Sequence, residues 1–324
     1  MITRSDIAAH LEQSIRTGFL VGAKNYSPLR KAFTREAPSD GAFELYGDMG
    51  ALPWPNQNSG KAGLGGTDAR TGAPKVNSIN AGEQVIVVGG EEKSLMVHNL
   101  DWEIVIGVTH NAINDDRAGD LENWARGASI NFERHKDYLC FDALNNGAAT
   151  TKYGACYNGL SFFNDAHIDP GALYQTGQDN AFAVALSLDN FETVKVAASK
   201  FRDGRGQPSG FTHSLLVVPP DLQRTAAQIT GNLQDYGTAD RAINPYAGEI
   251  QKLVAPGGWL DTTAWFLLDI SQPQKPINLQ MRKNPELIIW DDNAAGDGGV
   301  RYFKWHARYA VFYGDWRLAA QGNT

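Results

Sequence analysis

Three polar residues near the middle of the chain have the types and spacing of a metal site. Asp165, His167 and Asp169 occur at alternate positions in the segment GLSFFNDAHIDPG, residues 159–171. On an extended chain, alternate side chains project from the same face. Carboxylate and imidazole groups are suitable ligands for a hydrolytic metal. One hypothesis is therefore a metal-dependent hydrolase centred on these three residues.

The sequence around this trio favours a structural role instead. No His-Glu-x-x-His motif is present, and the seven histidines occur singly, so no ligand set is complete locally. Phe162 and Phe163 would anchor a polar loop whose aspartates accept backbone N–H bonds in turns. We therefore predict that Phe162, Phe163 and His167 are structural anchors, and we expect no catalytic residue, metal or cofactor. On this hypothesis, replacing either phenylalanine by alanine harms folding or assembly more than His167→Ala does.

Other motifs that would carry chemistry are incomplete. The segment SGKAGLGGT, residues 59–67, suggests a phosphate-binding loop, but Pro55 stands where that motif requires glycine. The nucleophile elbow G-x-S-x-G and the dinucleotide motif G-x-G-x-x-G do not occur. The basic and aromatic C-terminal strand suggests single-strand nucleic-acid binding, but the net charge of −7 opposes contact with phosphates. Nucleotide and nucleic-acid binding are therefore not favoured.

Size and composition indicate a soluble globular protein. The 324 residues suffice for two modest domains or one elongated fold. Hydrophobic residues make up 42% and charged residues 20%, which is unlike a disordered chain. Cys140 and Cys156 are too isolated for a zinc site or a disulfide framework, and two free thiols suit a reducing cytoplasm. No apolar run approaches the length of a membrane span or a signal peptide.

The N-terminal part contains long, sparsely packed elements. A helix is predicted over residues 5–20, followed by a basic segment, LRKAFTREAPSDG over residues 29–41, that is expected to be an arm rather than packed core. Residues 47–83 are dominated by Gly, Pro, Asn, Ser and Ala, which predicts a loop or flexible ribbon. Apolar residues alternate over residues 95–108, which predicts one half-buried antiparallel strand.

A long helix follows, which we call the spine helix. Asn114, Asp115 and Asp116 are its start signals, and it is predicted from about residue 117 to residue 144. Such a helix is about 42 Å long, more than twice the usual length. Its predicted packing face is a stripe of residues at three- and four-residue steps, namely Leu121, Trp124, Ala128, Phe132 and Leu139.

The C-terminal half alternates between helices and strands. Asp189 and Glu192 predict the capping box of one helix, and the apolar segments HSLLVVPP, AWFLLDIS and PELIIWDD predict strands. This alternation favours an α/β domain around a central sheet. A last long strand is predicted near the C-terminus, with alternate apolar residues on one face: Phe303, Trp305, Ala307, Tyr309, Val311 and Tyr313.

The order of these elements is similar to that of the major capsid (head) proteins of tailed double-stranded DNA phages, which have the HK-97-like fold. GLSFFNDAHIDPG resembles a G-x-x-F-F-x-x-x-H segment of the Mu-like phage and prophage major head subunits. FLLDISQPQKPINLQMRKNPEL, residues 266–287, resembles the same group in its Leu-Asp-x-Ser pattern, its Lys-Pro pair and its Arg-Lys-x-Pro-Glu-Leu ending. VVPPDLQRTA and YFKWHARYAVFYGDW are looser matches, and the glycine-rich residues 56–83 have no counterpart.

The resemblance implies an α+β fold and a structural protein, not an enzyme. Its parts would be an N-terminal arm (1–43), an extended β-ribbon loop (44–100), a peripheral domain with the spine helix at about 117–144 (101–188), an α/β axial domain (189–294) and a strand that returns to the peripheral domain (295–324). Copies of the chain would assemble through hexamers and pentamers into an icosahedral shell of the virion. The shell would enclose double-stranded DNA without sequence-specific binding, and no cofactor or membrane would be involved.

The resemblance also implies partners and leaves alternatives. No long charged helix precedes residue 30, so a separate scaffolding protein is expected, together with a maturation protease and a portal, in the cytoplasm of a bacterial host. One alternative is an encapsulin-type compartment shell, which shares this architecture but encloses enzymes. The other is the metal-dependent hydrolase at Asp165, His167 and Asp169. A cargo-binding groove would favour the first, and stoichiometric bound metal with turnover would favour the second.

Overall fold

The structure is a computed structural model that describes residues 4–48, 93–109, 120–169, 174–204, 206–231, 244–292 and 299–324. The glycine-rich residues 56–83, and the predicted start of the spine helix at Asn114, Asp115 and Asp116, lie outside these ranges. The elements, in chain order, are α1 (Arg4–Asn25), β1 (Thr34–Pro38), β2 (Phe43–Asp48), β3 (Lys93–His98), β4 (Leu100–Thr109), α2 (Asp120–Asn145), β5 (Ala181–Phe182), α3 (Leu188–Ser199), β6 (Leu215–Val218), α4 (Gln223–Gly231), β7 (Gln251–Val254), β8 (Trp265–Leu268), β9 (Ile277–Asp292), β10 (Val300–Tyr313) and β11 (Ala319–Gly322).

The chain divides into two compact units. The first unit comprises residues 1–44, 97–142 and 277–312, and the second comprises residues 45–96, 143–276 and 313–324. Each unit contains both helix and sheet. The spine helix is α2, and its described part matches the predicted span closely.

A four-stranded sheet in the order β1-β9-β10-β4 forms the first unit. β10 is antiparallel to β4, with Val300 opposite Thr109 and Tyr309 opposite Leu100, whereas β1 is parallel to β9. The predicted C-terminal strand is confirmed, because its alternate residues Phe303, Trp305, Ala307, Tyr309, Val311 and Tyr313 are all buried. Helices α1 and α2 pack on this face, where Phe19 stacks on Trp305 with ring centroids 5.7 Å apart and meets Phe132 at 6.4 Å.

The single strand predicted over residues 95–108 is wrong, because the chain changes sheet at Asn99. β3 pairs with β2 in a two-stranded ribbon, and β4 pairs with β10. Asn99 is buried, and its Nδ2 donates to Ser39 Oγ and to the Gly41 carbonyl, both at 2.9 Å. Its Oδ1 accepts from Gln280 Nε2 at 2.8 Å. These bonds hold the break between the two strands, and alternation of apolar residues alone does not reveal them.

The segment after α1 is packed against the spine helix, so the expectation that residues 29–41 lie outside the packed core is wrong. Arg30 is 2% exposed and Phe33 is fully buried, and the Phe33 ring meets Phe141 of the spine helix at 5.1 Å. α1 is also longer than predicted and approaches the spine helix closely. A Cβ atom on Gly22 would stand 2.6 Å from the Arg126 carbonyl oxygen, so only glycine permits this distance.

A five-stranded sheet in the order β5-β11-β8-β6-β7 forms the second unit. β6 and β8 are buried along their whole length, which confirms two of the predicted apolar strands. Helix α3 begins earlier than the predicted capping box at Asp189 and Glu192. Its N-cap is Ser187, whose side chain accepts from the Asn190 amide at 3.2 Å. The physical reason is that Ser187 has the extended backbone that an N-cap requires.

Candidate functional site

The segment GLSFFNDAHIDPG lies in the second unit, and its phenylalanines are buried. Phe162 is fully buried and Phe163 is 2% exposed. The Phe162 ring stacks on Tyr313 at 4.6 Å and meets Phe163 edge-on at 4.9 Å. Phe163 also contacts Phe266 of β8 at 5.5 Å. The two rings therefore connect this loop to the core of the five-stranded sheet, and their role as anchors stays a prediction about assembly.

His167 is fully buried, and both of its ring nitrogens are occupied. Asn158 Nδ2 donates to Nδ1 at 2.8 Å, so Nε2 carries the proton and donates to the Phe162 carbonyl and to Asn180 Oδ1, both at 3.2 Å. The imidazole lies flat on Trp316, with ring centroids 4.1 Å apart. Burial lowers the pKa of His167 to about 4, so the ring is neutral at ordinary pH. No lone pair is left for a metal.

The two aspartates of the trio point to different surroundings. Asp165 is exposed, whereas Asp169 is buried and accepts from Arg317 Nη1 at 3.1 Å and from Tyr157 Oη at 3.0 Å. Burial alone would lower the pKa of Arg317, but Asp315, Tyr157 and Asp169 raise it well above its ordinary value. Among the described residues, no group of three or more His, Cys, Asp or Glu side chains is placed to hold a metal ion. The alternating trio is therefore not brought together as a ligand set.

Both cysteines are free and buried, as the sequence suggests. Burial raises the pKa of the Cys156 thiol to about 12 and raises that of Cys140 as well. Neither thiol is a thiolate at neutral pH, and only the thiolate is a good nucleophile or metal ligand. None of the described helices combines the length and hydropathy needed to cross a membrane.

The spine helix buries most of its predicted packing face. Four of the five residues are nearly inaccessible: Leu121, Ala128, Phe132 and Leu139. Trp124 differs, because 51% of its surface is exposed in the single chain. Trp124 therefore lies outside the face that the helix buries in the single chain.

A buried ion cluster ties the segment after α1 to the spine helix, and sequence analysis missed it. Arg30 Nη1 lies 2.8 Å from Asp137 Oδ1, with side chains 3% and 0% exposed. Its Nη2 lies 2.9 Å from Glu133 Oε2. Asp137 Oδ2 also accepts from the Leu29 amide at 2.8 Å and from Tyr26 Oη at 2.9 Å. The basic composition of this segment was the only signal, and it does not identify the acidic partners.

Burial and neighbouring groups shift the pKa values of Arg30, Tyr26 and Glu133. Burial alone would lower the pKa of Arg30, but Asp137 and Glu133 raise it. Burial and the hydrogen bond to Asp137 raise the pKa of Tyr26 to about 12. Burial would raise the pKa of Glu133, but Lys136 and Arg30 lower it overall. The guanidinium of Arg30 and the carboxylate of Glu133 are therefore both charged at neutral pH. The cluster holds the segment after α1 against the spine helix and does not exchange protons.

Several large apolar side chains are exposed on strands of the single chain. Their exposed fractions exceed 40%: Phe43, Leu45, Met96, Leu100, Val105, Ile288 and Trp290. Isolated exposed apolar residues are ordinary, but runs of them on strand surfaces mark sites of association. Exposed apolar side chains on strands are typical of proteins that associate with other chains.

Comparison with known proteins identifies the family. A profile described as phage capsid protein matches residues 100–321, which is more than two thirds of the chain. The chain therefore belongs to the phage capsid protein family. A search of curated protein sequences found no match.

Solved structures show the same fold at low sequence identity. The bacteriophage JBD30 capsid has a TM-score of 0.52 at 18% identity and covers 73% of this chain and 92% of its own. The JBD30 procapsid protein has a TM-score of 0.51 at 19% identity, and the match covers 100% of this chain and 76% of the procapsid protein. A structure from Microbacterium phage Oxtober96 has a TM-score of 0.52 at 15% identity, and the match covers 92% of this chain and 91% of the phage protein.

These comparisons confirm the predicted fold class and the predicted structural role. The chain has a mixed fold of the HK-97-like phage capsid type, and it is a subunit of a phage capsid shell, located in the virion. The compartment shell and the metal-dependent hydrolase are not favoured, because the family that matches is one of phage capsid proteins and the Asp165, His167 and Asp169 side chains do not converge.

Proposed function

We propose that the chain is the repeating subunit of the icosahedral head of a phage in the Mu-like group, and that it has no catalytic activity. The observation that carries the role is the family match over residues 100–321. The Mu-like assignment rests on two sequence segments that resemble Mu-like head subunits. One contains Phe162, Phe163 and His167, and the other spans residues 266–287.

We propose that the chain consists of five parts with different roles in the shell. The parts are an N-terminal arm (1–43), an extended loop (44–100), a peripheral domain (101–188), an axial domain (189–294) and a returning strand (295–324). The first compact unit supports a strand that returns to the peripheral domain, because it contains residues 101–142 together with residues 295–312. The axial domain would contact its neighbours around the capsomer axis, and the extended loop would lie over the adjacent subunit.

We propose that assembly begins in the cytoplasm of a bacterial host and uses three further proteins. A separate scaffolding protein would set the curvature, a maturation protease would act on the procapsid, and a portal would occupy one vertex. The head would then enclose double-stranded DNA without sequence-specific contacts. The net charge of −7 supports this last point, because a surface that binds phosphates tightly needs clustered Lys and Arg.

Expression of the chain with analytical ultracentrifugation and negative-stain microscopy tests the proposal. We expect shells, tubes or rings of capsomers that sediment far faster than a monomer of 35.3 kDa. A compact monomer at every concentration and salt condition would contradict it. Metal analysis and hydrolase assays on the same preparation should give neither stoichiometric metal nor turnover.

A further inference from the structure

Among the strands that the structure describes, β4 forms one edge of the four-stranded sheet. The sheet order β1-β9-β10-β4 places β1 and β4 at its two edges, and β10 alone among the described strands pairs with β4. An edge strand presents a row of backbone N–H and C=O groups to any chain that approaches, so natural proteins protect such edges with short strands, proline or charged residues.

The two edges of the sheet differ in this protection. β1 has five residues, ends at Pro38 and exposes Arg35 and Glu36. β4 has ten residues, LDWEIVIGVT, with no proline and no basic residue. Its second half is uncharged, and Val105 in the middle is 46% exposed. β4 is therefore the edge that is suited to strand addition.

The acidic residues of β4 do not prevent a second copy from approaching. Arg308 Nε lies 2.6 Å from Asp101 Oδ1, and His306 Nε2 lies 3.2 Å from the same oxygen. Glu103 is paired with Lys304 of the same neighbouring strand. Both carboxylates are thus balanced by basic groups on β10, and the edge carries little net charge.

We propose that β4 pairs with β4 of a second copy of this chain, antiparallel, about a two-fold axis through Val105. This proposal rests on the proposed function, because it names one contact between subunits of the shell. In this register, Val105 faces its own counterpart, Ile104 faces Ile106, and Trp102 faces Val108. The two sheets of four strands become one continuous sheet of eight, and the exposed Val105 side chains cover each other.

The charges of β4 favour this register over its neighbours. With the axis at Val105, Glu103 faces Gly107 and Asp101 faces Thr109, so no carboxylate faces another. An axis at Glu103 would oppose the two Glu103 side chains, and an axis at Trp102 would oppose Asp101 and Glu103, both of which are unfavourable. An axis at Ile104 would set Glu103 against Val105 and leave the apolar side chain beside a carboxylate. An axis at Ile106 also keeps the carboxylates apart, but it sets the exposed Val105 against Gly107, so the axis at Val105 is the one that covers this side chain with its own counterpart.

A disulfide test follows from this geometry. Directly opposite residues of antiparallel strands have Cα atoms about 4.5–5.5 Å apart, which lies within the range that a disulfide spans. We expect Val105→Cys in assembled particles to form a covalent dimer under mild oxidation, seen on a non-reducing gel. Val196→Cys is the matched control, because Val196 is also an exposed valine, at 42%, and lies on α3. The native Cys140 and Cys156 are buried, so the background should be low.

A charge-swap test covers the case in which the cysteine variant does not assemble. Val105→Glu and Val105→Lys each place like charges opposite each other, so each alone should lower the yield of particles by at least about fivefold. A one-to-one mixture of the two should restore the yield, because unlike charges then face each other. Val196→Glu, Val196→Lys and their mixture should assemble as the wild type does.

The outcomes separate this inference from the proposed function. Cross-linked dimers of Val105→Cys, or rescue by mixing, support the two-fold contact. Particles in which Val105→Cys links no more than Val196→Cys, or charge variants that do not rescue each other, overturn it and leave the shell role intact. Failure of the wild-type chain to form particles under any condition contradicts the shell role and this contact together.

Discussion

Asp137→Leu removes the acceptor shared by Arg30, the Leu29 amide and Tyr26. The substituted side chain is apolar and similar in size, so the effect measures lost pairing rather than lost volume. Arg30 is 2% exposed, and its Nη1 would keep only the long 3.5 Å bond to the Glu133 carbonyl in place of the 2.8 Å bond to Asp137. The Leu29 amide and the Tyr26 hydroxyl would lose their acceptor. We expect the free energy of unfolding to fall sharply.

The magnitude follows from the groups that stay behind. Removing one partner of a buried ion pair costs about 3–5 kcal/mol. Glu133 still lies 2.9 Å from Arg30 Nη2, so we expect the low end, about 3 kcal/mol, for Asp137→Leu. Arg30→Met leaves the Asp137 carboxylate buried and should cost about the same. The double variant leaves neither charge unbalanced, so its loss should be smaller than the sum by about 2 kcal/mol or more.

Urea unfolding of the unassembled protein, followed by tryptophan fluorescence, measures these free energies in a double-mutant cycle. The matched control is the exposed Arg16–Glu12 pair of α1, at 2.8 Å with side chains 55% and 42% exposed. Its coupling energy should be only about 0.3–0.5 kcal/mol. A coupling energy between Arg30 and Asp137 as small as that of the control pair would refute the reasoning.

Three further predictions concern packing, the pH dependence of stability and the loop anchors. Gly22→Ala should destabilise the subunit by about 1–3 kcal/mol, because the added Cβ would clash with the spine helix. Gly127→Ala, with nothing within 4 Å of the added Cβ, should instead stabilise it by up to about 1 kcal/mol. Thermal unfolding of the two variants compares these effects, and equal changes would contradict the close approach of α1 to the spine helix. The folded-state pKa of His167 is lowered to about 4, so its contribution is complete above the unfolded pKa of about 6.5 and is lost as pH falls toward 4, by roughly 3 kcal/mol. His167→Gln should therefore flatten the stability profile over that pH range, and an unchanged slope would count against a buried neutral ring. Phe163→Ala should cost about 3–5 kcal/mol and exposed Asp165→Ala less than about 0.5 kcal/mol, and chemical denaturation that ranks them in the opposite order would reopen the metal-site hypothesis.

Features with a local period were predictable from the sequence. The alternate burial of Phe303, Trp305, Ala307 and Tyr309 in β10 follows from a period of two, and the spine helix follows from its apolar stripe. Both depend on residues within the same element. The fold class came from the resemblance of this order of elements, and of residues 159–171 and 266–287, to the major head proteins of tailed phages.

Features that depend on distant partners were not predictable. The basic segment around Arg30 looks like an arm until Asp137 and Glu133 are placed beside it, more than one hundred residues away. The strand break at Asn99 depends likewise on Gln280, 181 residues distant. Polar residues that appear out of place in a local pattern were satisfied by groups that no local pattern indicates.

The candidate site shows the same limit. Asp165, His167 and Asp169 alternate as metal ligands would on a strand, but Asp169 pairs with Arg317, 148 residues away. His167 meanwhile bonds to Asn158 and Asn180. The phenylalanines beside them were the better local signal, because large apolar residues in a polar loop are usually buried.

Electron cryomicroscopy of particles formed by the purified chain tests the central claim most directly. We expect closed shells with icosahedral symmetry, in which every subunit has the two compact units and the four- and five-stranded sheets described above. The chain as a monodisperse monomer or small oligomer at every concentration, with or without a co-expressed scaffolding protein, would contradict its assignment as a capsid shell subunit.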